Sequence, residues 1–294
     1  NKNAEDFKID KCENLNEQRW ETYIAAKDEV LIGDLVFLKD WILRSEQSNA
    51  LNKIFVKNVK DNKEEEIKFE NEKVISPGLS LMQRDRDTNL IYLGYSSPKT
   101  QSRTYVYNLK NKDRKLLKEQ EIPSGHNPND YIVERLECIA HDGIKIPITI
   151  TRNKNTEIDG SANLLLYGYG SYGHSIPPTF SSSRFSLINR DIIWVTAHIR
   201  GGMERGMKWW KDGKLLNKKN TFKDYISVAK YLIEKKYTSE KKIIGMGGSA
   251  GGLLMGAVVN QSPELFLGII MAVPFVDSLT TNLDHSLPLT VGEF

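Results

Sequence analysis

The sequence Gly247-Gly248-Ser249-Ala250-Gly251 carries the residue type and spacing in this chain best suited to chemistry. It reads as G-x-S-x-G, which places a serine on a sharp strand-to-helix turn with its hydroxyl projecting from the edge of a sheet. A hydroxyl held there can attack a carbonyl carbon if a base takes its proton. Small neighbours are a physical requirement, because a turn this tight adopts backbone angles that side chains obstruct. On this reading Ser249 is the nucleophile, and the N–H of Ala250 points at the oxyanion that develops on the attacked carbonyl. The β-branched pair Ile243-Ile244 leads into the turn, and an apolar helical pattern from Leu253 to Val258 follows it.

The same residues admit two other readings. Small-residue turns join strands to helices without any catalytic role. Gly245, Gly247 and Ala250 also satisfy G-x-G-x-x-A, the dinucleotide fingerprint. That fingerprint expects an acid at the end of the next strand, about 20 residues on. Glu264 has the spacing but precedes the apolar run 267–273, and Asp277 follows that run at too great a separation. The nucleophile turn is the favoured expectation.

The elements that must position Ser249 begin near residue 160, where the texture becomes alternating strand and helix. The pattern predicts buried strands over 162–166 and 191–197, an amphipathic helix over 221–236, the strand entering the serine turn, a helix to about residue 260, and a strand over 267–273. Thr221, with Asp224 three residues on, is expected to cap the amphipathic helix. This is βαβ texture, and it predicts a mainly parallel sheet covered by helices, the α/β-hydrolase arrangement. In that fold the second oxyanion donor comes from a loop after an earlier strand. Tyr167-Gly168-Tyr169-Gly170-Ser171-Tyr172-Gly173 is such a loop, and its tyrosines serve either as donors or as aromatic packing.

Upstream, residues 1–128 show short β-type runs at 30–38, 41–43, 53–59, 67–69, 90–95 and 104–109, separated by polar turns. Runs at this spacing suggest antiparallel sheet in a sandwich, barrel or propeller. Residues 122–130 are rich in turn formers and are the expected linker, with His126 a solvated loop residue. A hairpin over 131–151 is expected to turn at His141-Asp142-Gly143.

Composition narrows the class. A chain of 294 residues can bury a sizeable core, and its formal charge of +3 implies no polyanionic partner. The lysine pairs, including Lys218-Lys219, are expected to be solvated caps at helix ends. No apolar run reaches the roughly 20 residues that span a bilayer, and the start has no signal-peptide pattern. Cys12 and Cys138 have no motif spacing, so reduced thiols and a cytoplasmic location are expected. No metal or cofactor is called for.

From about residue 125 onward the chain resembles the prolyl oligopeptidase family of serine peptidases, and within it the oligopeptidase B branch. The blocks that carry this are 167–173, Ile199-Arg200-Gly201-Gly202, residues 218–225 (Lys-Lys-Asn-Thr-Phe-Lys-Asp-Tyr), Gly247 to Gly252, Val273-Pro274-Phe275-Val276-Asp277, and the closing Pro288-Leu289-Thr290-Val291-Gly292-Glu293-Phe294. The resemblance implies an α/β-hydrolase domain, here partial and over 129–294, preceded by an incomplete β-propeller, with 1–128 as its last blades. It implies that Ser249 is the nucleophile, that Tyr169 joins Ala250 in the oxyanion site, and that Glu293, with Tyr172 nearby, binds substrate. A desolvated carboxylate at Glu293 would pair with an arginine or lysine of short basic peptides, cleaved after that residue through an acyl-enzyme.

The family's acid and histidine lie far downstream of the serine. The chain is therefore expected to be an internal piece, inactive alone, whose missing Asp and His come from further sequence or a second chain. Asp277 and His285 follow Ser249 in the required order, but as surface loop residues close behind it they are poor substitutes. A non-catalytic remnant and an esterase on the same fold are the alternatives. Pro177 and Thr179 stand where oligopeptidase B commonly has two acids, which leaves a preference for a basic P2 residue without support.

Overall fold

The computed structural model describes residues 3–14, 16, 19–69, 72–80, 85–284, 286–287 and 291–294. The first part is antiparallel throughout. Strands β1 (Ile9–Lys11) and β2 (Glu21–Ile24) pair with each other. A four-stranded sheet follows in the order β3 (Val30–Phe37), β4 (Trp41–Ser48), β5 (Leu51–Asn58) and β6 (Glu64–Glu66). A second comprises β7 (Gly78–Leu79), β8 (Leu90–Tyr95), β9 (Arg103–Asn108) and β10 (Arg114–Glu119) in sequential order. Leu43, Ile54 and Val56 of one sheet and Ile91, Leu93 and Tyr107 of the other share one buried cluster. Two such meanders packed face to face are propeller blades.

Residue periodicity located β8 and β9 closely but shortened β4, whose outer half reads Arg44-Ser45-Glu46-Gln47. Those polar residues stay in the strand because Arg44, 2% exposed, pairs with Glu46 and Glu64 inside the blade. A buried charge that finds its partners behaves in sequence like a solvated one.

The second part is built on a six-stranded sheet. Its strands are β11 (Tyr131–Ile139), β12 (Lys145–Asn153), β13 (Leu164–Tyr167), β14 (Ile193–Ala197), β15 (Ile243–Gly248) and β16 (Phe266–Ala272). The order is β11-β12-β14-β13-β15-β16, antiparallel as far as β14 and parallel from there on. Helices α1 (Ser182–Ile188), α2 (Gly206–Lys211), α3 (Lys219–Glu234), α4 (Ala250–Gln261) and α5 (Ser278–Leu283) connect and cover it. Alternation along β14 shows the two faces. Ile193, Val195 and Ala197 enter the large core beneath α3 and α4, while Trp194 joins Phe185 and Ile188 of α1 on the opposite side. This is the α/β-hydrolase arrangement. On β16 the side chains of Leu267, Ile270 and Met271 are exposed.

The two parts meet through specific bonds. Asp6 accepts from the N–H of Met207 at 2.7 Å, and Ala50 N–H donates to Glu204 O at 2.9 Å. Phe180 N–H donates to Ser96 Oγ, and Ser175 Oγ to Gln47 Oε1.

Four sequence expectations are corrected. Helix α3 begins at Lys219, so Thr221 is inside it and caps nothing; its hydroxyl donates instead to Arg200 O and Gly213 O. Asp224 is not a capping acid but the buried partner of Arg200. Lys218 is not solvated; it is buried at the end of the preceding turn. His126 is not a free loop residue, because it stacks on Tyr131 at 5.1 Å, packs against Phe180 and Phe185, and bonds Lys99 O. In each case a polar side chain has a partner distant in sequence, which local pattern does not show.

Candidate active site

Ser249 sits between β15 and α4 with φ 54° and ψ −117°, a conformation that side-chain-bearing residues adopt only under constraint. The constraint is visible. Ser249 N–H donates to Ala272 O on β16 at 2.9 Å, while Ser249 O accepts from Gly252 and Phe275 N–H groups. The neighbouring glycines leave the room this demands. A Cβ on Gly247 would lie 2.3 Å from Gly251 O, and one on Gly252 would lie 2.4 Å from Pro274 Cβ. The serine itself is exposed, so its hydroxyl faces solvent at the carboxyl end of the parallel strands. The rival dinucleotide fingerprint fails here. Strand β16 ends at Ala272 and runs into Val273-Pro274, with no acid at its tip, and Gly247 is filled by the chain's own carbonyl.

Tyr169 stands in the loop that leaves β13, beside β15 in the sheet. Its hydroxyl lies near enough to the Ser249 side chain to interact with it. Burial pushes this phenol above its ordinary range, Tyr167 and Glu293 add to that, and the interaction with Ser249 opposes it. At neutral pH it is therefore a neutral O–H donor. Ala250 is the first residue of α4, so its N–H has no intrahelical acceptor and is free for a ligand. The phenol and the Ala250 N–H thus both border Ser249, an arrangement compatible with a nucleophile and two oxyanion donors.

The loop itself is held from below. Tyr225 of α3 donates to Leu166 O at 2.6 Å, and Gly168 N–H donates to Met246 O at 3.1 Å. Gly168 can carry no side chain, since a Cβ would meet the Tyr225 ring at 2.9 Å.

Glu293 lies under the same loop and is 1% exposed. Its carboxylate accepts from Trp210 Nε1 at 2.8 Å and from Lys218 Nζ at 3.2 Å. Lys218 also donates to Gly170 O at 2.7 Å and to Ser171 Oγ. Burial pulls the Lys218 ammonium down to about 8, and Glu293 opposes the shift. Tyr172 is exposed, with its ring edge-on to Phe294 at 5.8 Å. Sequence reasoning gave neither Lys218, read as a solvated cap, nor Trp210 a place in the site. Both belong to polar or aromatic runs, and only the fold brings them to Glu293.

Three of the described histidines are engaged away from the serine. His198 is buried on Thr149, His126 bonds Lys99 O, and His141 lies beside Asp142. His174 is edge-on to the Tyr169 ring at 5.3 Å. Asp277 is the N-cap of α5, accepting from Thr280 N–H, and His285 lies outside the described residues. No group of three or more His, Cys, Asp or Glu able to hold a metal occurs among the described residues.

Comparison with known proteins agrees with this architecture. Residues 178–294 match the prolyl oligopeptidase family, and residues 1–120 match the prolyl oligopeptidase N-terminal β-propeller domain. Dipeptidyl aminopeptidase BI of Pseudoxanthomonas mexicana is 39% identical over 99% of this chain, which spans 40% of that protein. Protease 2 of Moraxella lacunata is 36% identical over 100% of the chain and 42% of its own length. Among solved structures, oligopeptidase B from Trypanosoma brucei with covalently bound antipain superimposes with a TM-score of 0.86 at 34% identity. That match covers 92% of this chain and 39% of the other. The chain therefore spans about two fifths of the length of these relatives.

Proposed function

The chain belongs to the prolyl oligopeptidase family, and from that premise we propose that it is the nucleophile-bearing part of a serine peptidase that cleaves short peptides after arginine or lysine. The observation that carries the reading is the contact between Ser249, on its constrained turn, and the Tyr169 hydroxyl. In the proposed reaction Ser249 Oγ attacks the scissile carbonyl and its proton passes to a histidine. The amine leaves with a proton, and water then hydrolyses the acyl-enzyme. Tyr169 O–H and Ala250 N–H stabilise the oxyanion of each tetrahedral step. Glu293, buried beneath the loop, supplies the negative charge for a basic P1 side chain.

We place the activating histidine in further sequence, as the resemblance implies; His126, His141 and His198 hold other partners, and His174 packs edge-on to the Tyr169 ring. The substrate class draws support from the oligopeptidase B structure among the solved neighbours.

The test is hydrolysis of blocked peptidyl-aminomethylcoumarins by the protein carrying this chain. Arg and Lys at P1 should be preferred over Ala and Pro, with turnover abolished in Ser249→Ala. The 294 residues alone should turn over little. Strong turnover by them alone, lost in Ser249→Ala, would overturn the placement of the base.

One relative bears the name dipeptidyl aminopeptidase BI, which favours a second reading, removal of dipeptides from a free amino terminus. Blocking the terminus of the same substrates separates the two: an exopeptidase loses turnover and an oligopeptidase keeps it.

A further inference from the structure

Glu293 is a carboxylate offered to a substrate cation, yet in the folded chain it already has one. Lys218 Nζ lies 3.2 Å from Glu293 Oε1, both side chains nearly inaccessible, with the Phe294 ring 4.9 Å above the ammonium. The remaining donors of that ammonium go to Gly170 O and Ser171 Oγ, the two residues immediately after Tyr169. One lysine therefore ties the carboxylate to the oxyanion loop.

We propose that Lys218 is the resident counter-ion of Glu293, balancing the acidic site and holding the Tyr169 loop when no basic side chain is bound, and yielding the carboxylate when one arrives. The inference rests on the reading of Glu293 as the P1 acid. Its physical basis is that two cations cannot share one desolvated carboxylate without strong repulsion. An incoming guanidinium or ammonium must displace Lys218 from Glu293 or find it neutral. Lys218 then acts as a specificity-determining and positioning residue. It raises the threshold that any cation must pass, and it favours arginine, whose planar fork pairs with a carboxylate through two parallel bonds.

This mechanism has a proton signature. Lys218 is poised to lose its proton near neutral pH, because burial outweighs the carboxylate's hold on it. Removing that hold, and placing a second cation beside it, drives the proton off. Binding of a permanently charged ligand then releases a proton, and affinity rises with pH. The other groups facing the pair are the phenols of Tyr169 and Tyr172, both held neutral by burial, and the non-titrating Trp210 indole, which carries Lys214 Nζ over its ring at 3.5 Å.

The experiment is calorimetric titration of the chain with benzamidine, which stays cationic throughout, from pH 6.5 to 9, with neutral benzamide as control. For the wild type, affinity should rise with pH, by up to about tenfold per unit for one proton released. Lys218→Met should bind more tightly than the wild type at pH 7, because the competing charge is gone. Lys218→Arg keeps the pair but cannot lose its proton, so it should bind weakly at every pH. That variant tests the idea even if Lys218→Met fails to fold. A flat wild-type profile, or a Lys218→Arg profile that rises like the wild type's, overturns the counter-ion role. Undiminished benzamidine binding in Glu293→Gln overturns the P1 reading itself. Binding lost in Glu293→Gln but unchanged in affinity and pH profile by both Lys218 variants leaves that reading standing and refutes this one.

Discussion

Arg200 and Asp224 form a closed fork between the end of β14 and the first turns of α3. Nε donates to Oδ2 at 2.8 Å, Nη2 to Oδ1 at 2.5 Å, and the backbone N–H of Arg200 to Oδ2 at 3.1 Å. The side chains are 4% and 0% exposed, and the fourth direction is taken by Asp142 in the β11–β12 turn. The pair thus pins the helix that carries Tyr225, the support of the Tyr169 loop, to the sheet.

Removing one member of such a pair leaves an uncompensated buried charge, which costs about 3–5 kcal/mol. Asp224→Met and Arg200→Met are each expected to lose stability on that scale. The double variant Arg200→Met/Asp224→Met should lose less than the sum of the singles. Urea midpoints of the four proteins in the cycle check this; additive losses would show that the fork is not a unit.

The glycines around Ser249 make opposite predictions by position. Gly247→Ala would push a Cβ to 2.3 Å from Gly251 O and 3.1 Å from Gly168 O. Both are backbone atoms and cannot swing aside, so a loss of about 3 kcal/mol is expected. Gly256, inside α4, has nothing within 4 Å of a built Cβ. There alanine should stabilise by about 0.5–1 kcal/mol through helix propensity. Thermal melts of the two variants should move in opposite directions.

These contrasts explain what was legible in the sequence. Gly247, Ser249 and Gly251 announce a turn because steric exclusion acts between near neighbours, so its cause and its signal share one stretch. Strands β8 and β9 were found for the same reason, through alternation of apolar residues. Lys218 and His126 read as solvated and Asp224 as a capping acid because their partners Glu293, Lys99 and Arg200 lie 75, 27 and 24 positions away. Helix α2 was missed, since Gly206-Met207-Lys208-Trp209-Trp210-Lys211 shows no clean apolar stripe and is ordered by Asp6 from the first part. Local chemistry was visible, and long-range charge pairing was not.

His198 and Glu204 make a pH prediction that only their combination reveals. Both are buried, with Nδ1 3.9 Å from Oε1 and with Nδ1 and Oε2 lacking protein partners. Burial pushes the Glu204 carboxyl up to about 7 and the His198 imidazole well below its ordinary range. An acid with a raised folded pKa contributes stability that is lost as pH rises from its unfolded value through 7. A histidine with a depressed one contributes stability that is lost as pH falls below about 6.5. Between roughly pH 4.5 and 6.5 the folded pair holds one proton on Glu204, the unfolded pair one on histidine, and the contributions cancel. Mutation should expose them. His198→Gln should weaken with rising pH from 5 to 7, and Glu204→Gln should weaken as pH falls below 6.5. Each trend should approach about 1 kcal/mol per pH unit relative to wild type. Parallel pH profiles for wild type and both variants would refute the coupling.

Tyr169→Phe should separate binding from chemistry in the peptidyl-Arg assay. The ring and its packing on His174 are retained, and only the hydroxyl facing Ser249 is lost. Loss of one oxyanion donor lowers kcat by about 10²–10³, with KM little changed. A selective rise in KM would instead make Tyr169 a substrate contact.

Ser249→Gly tests whether strain at the nucleophile is real. At φ 54° and ψ −117° a serine carries a conformational cost that glycine does not, of about 1–3 kcal/mol. The variant loses the hydroxyl that meets Tyr169 and gains unfolded-chain entropy, both of which oppose the gain. The net expectation is a protein that cannot form an acyl-enzyme yet is more stable than Ser249→Ala by about 1 kcal/mol. Alanine removes the same hydroxyl but keeps the Cβ, so comparing these two variants isolates the backbone. Equal urea midpoints would mean that the bonds from Ser249 to Ala272, Gly252 and Phe275 hold the turn without strain.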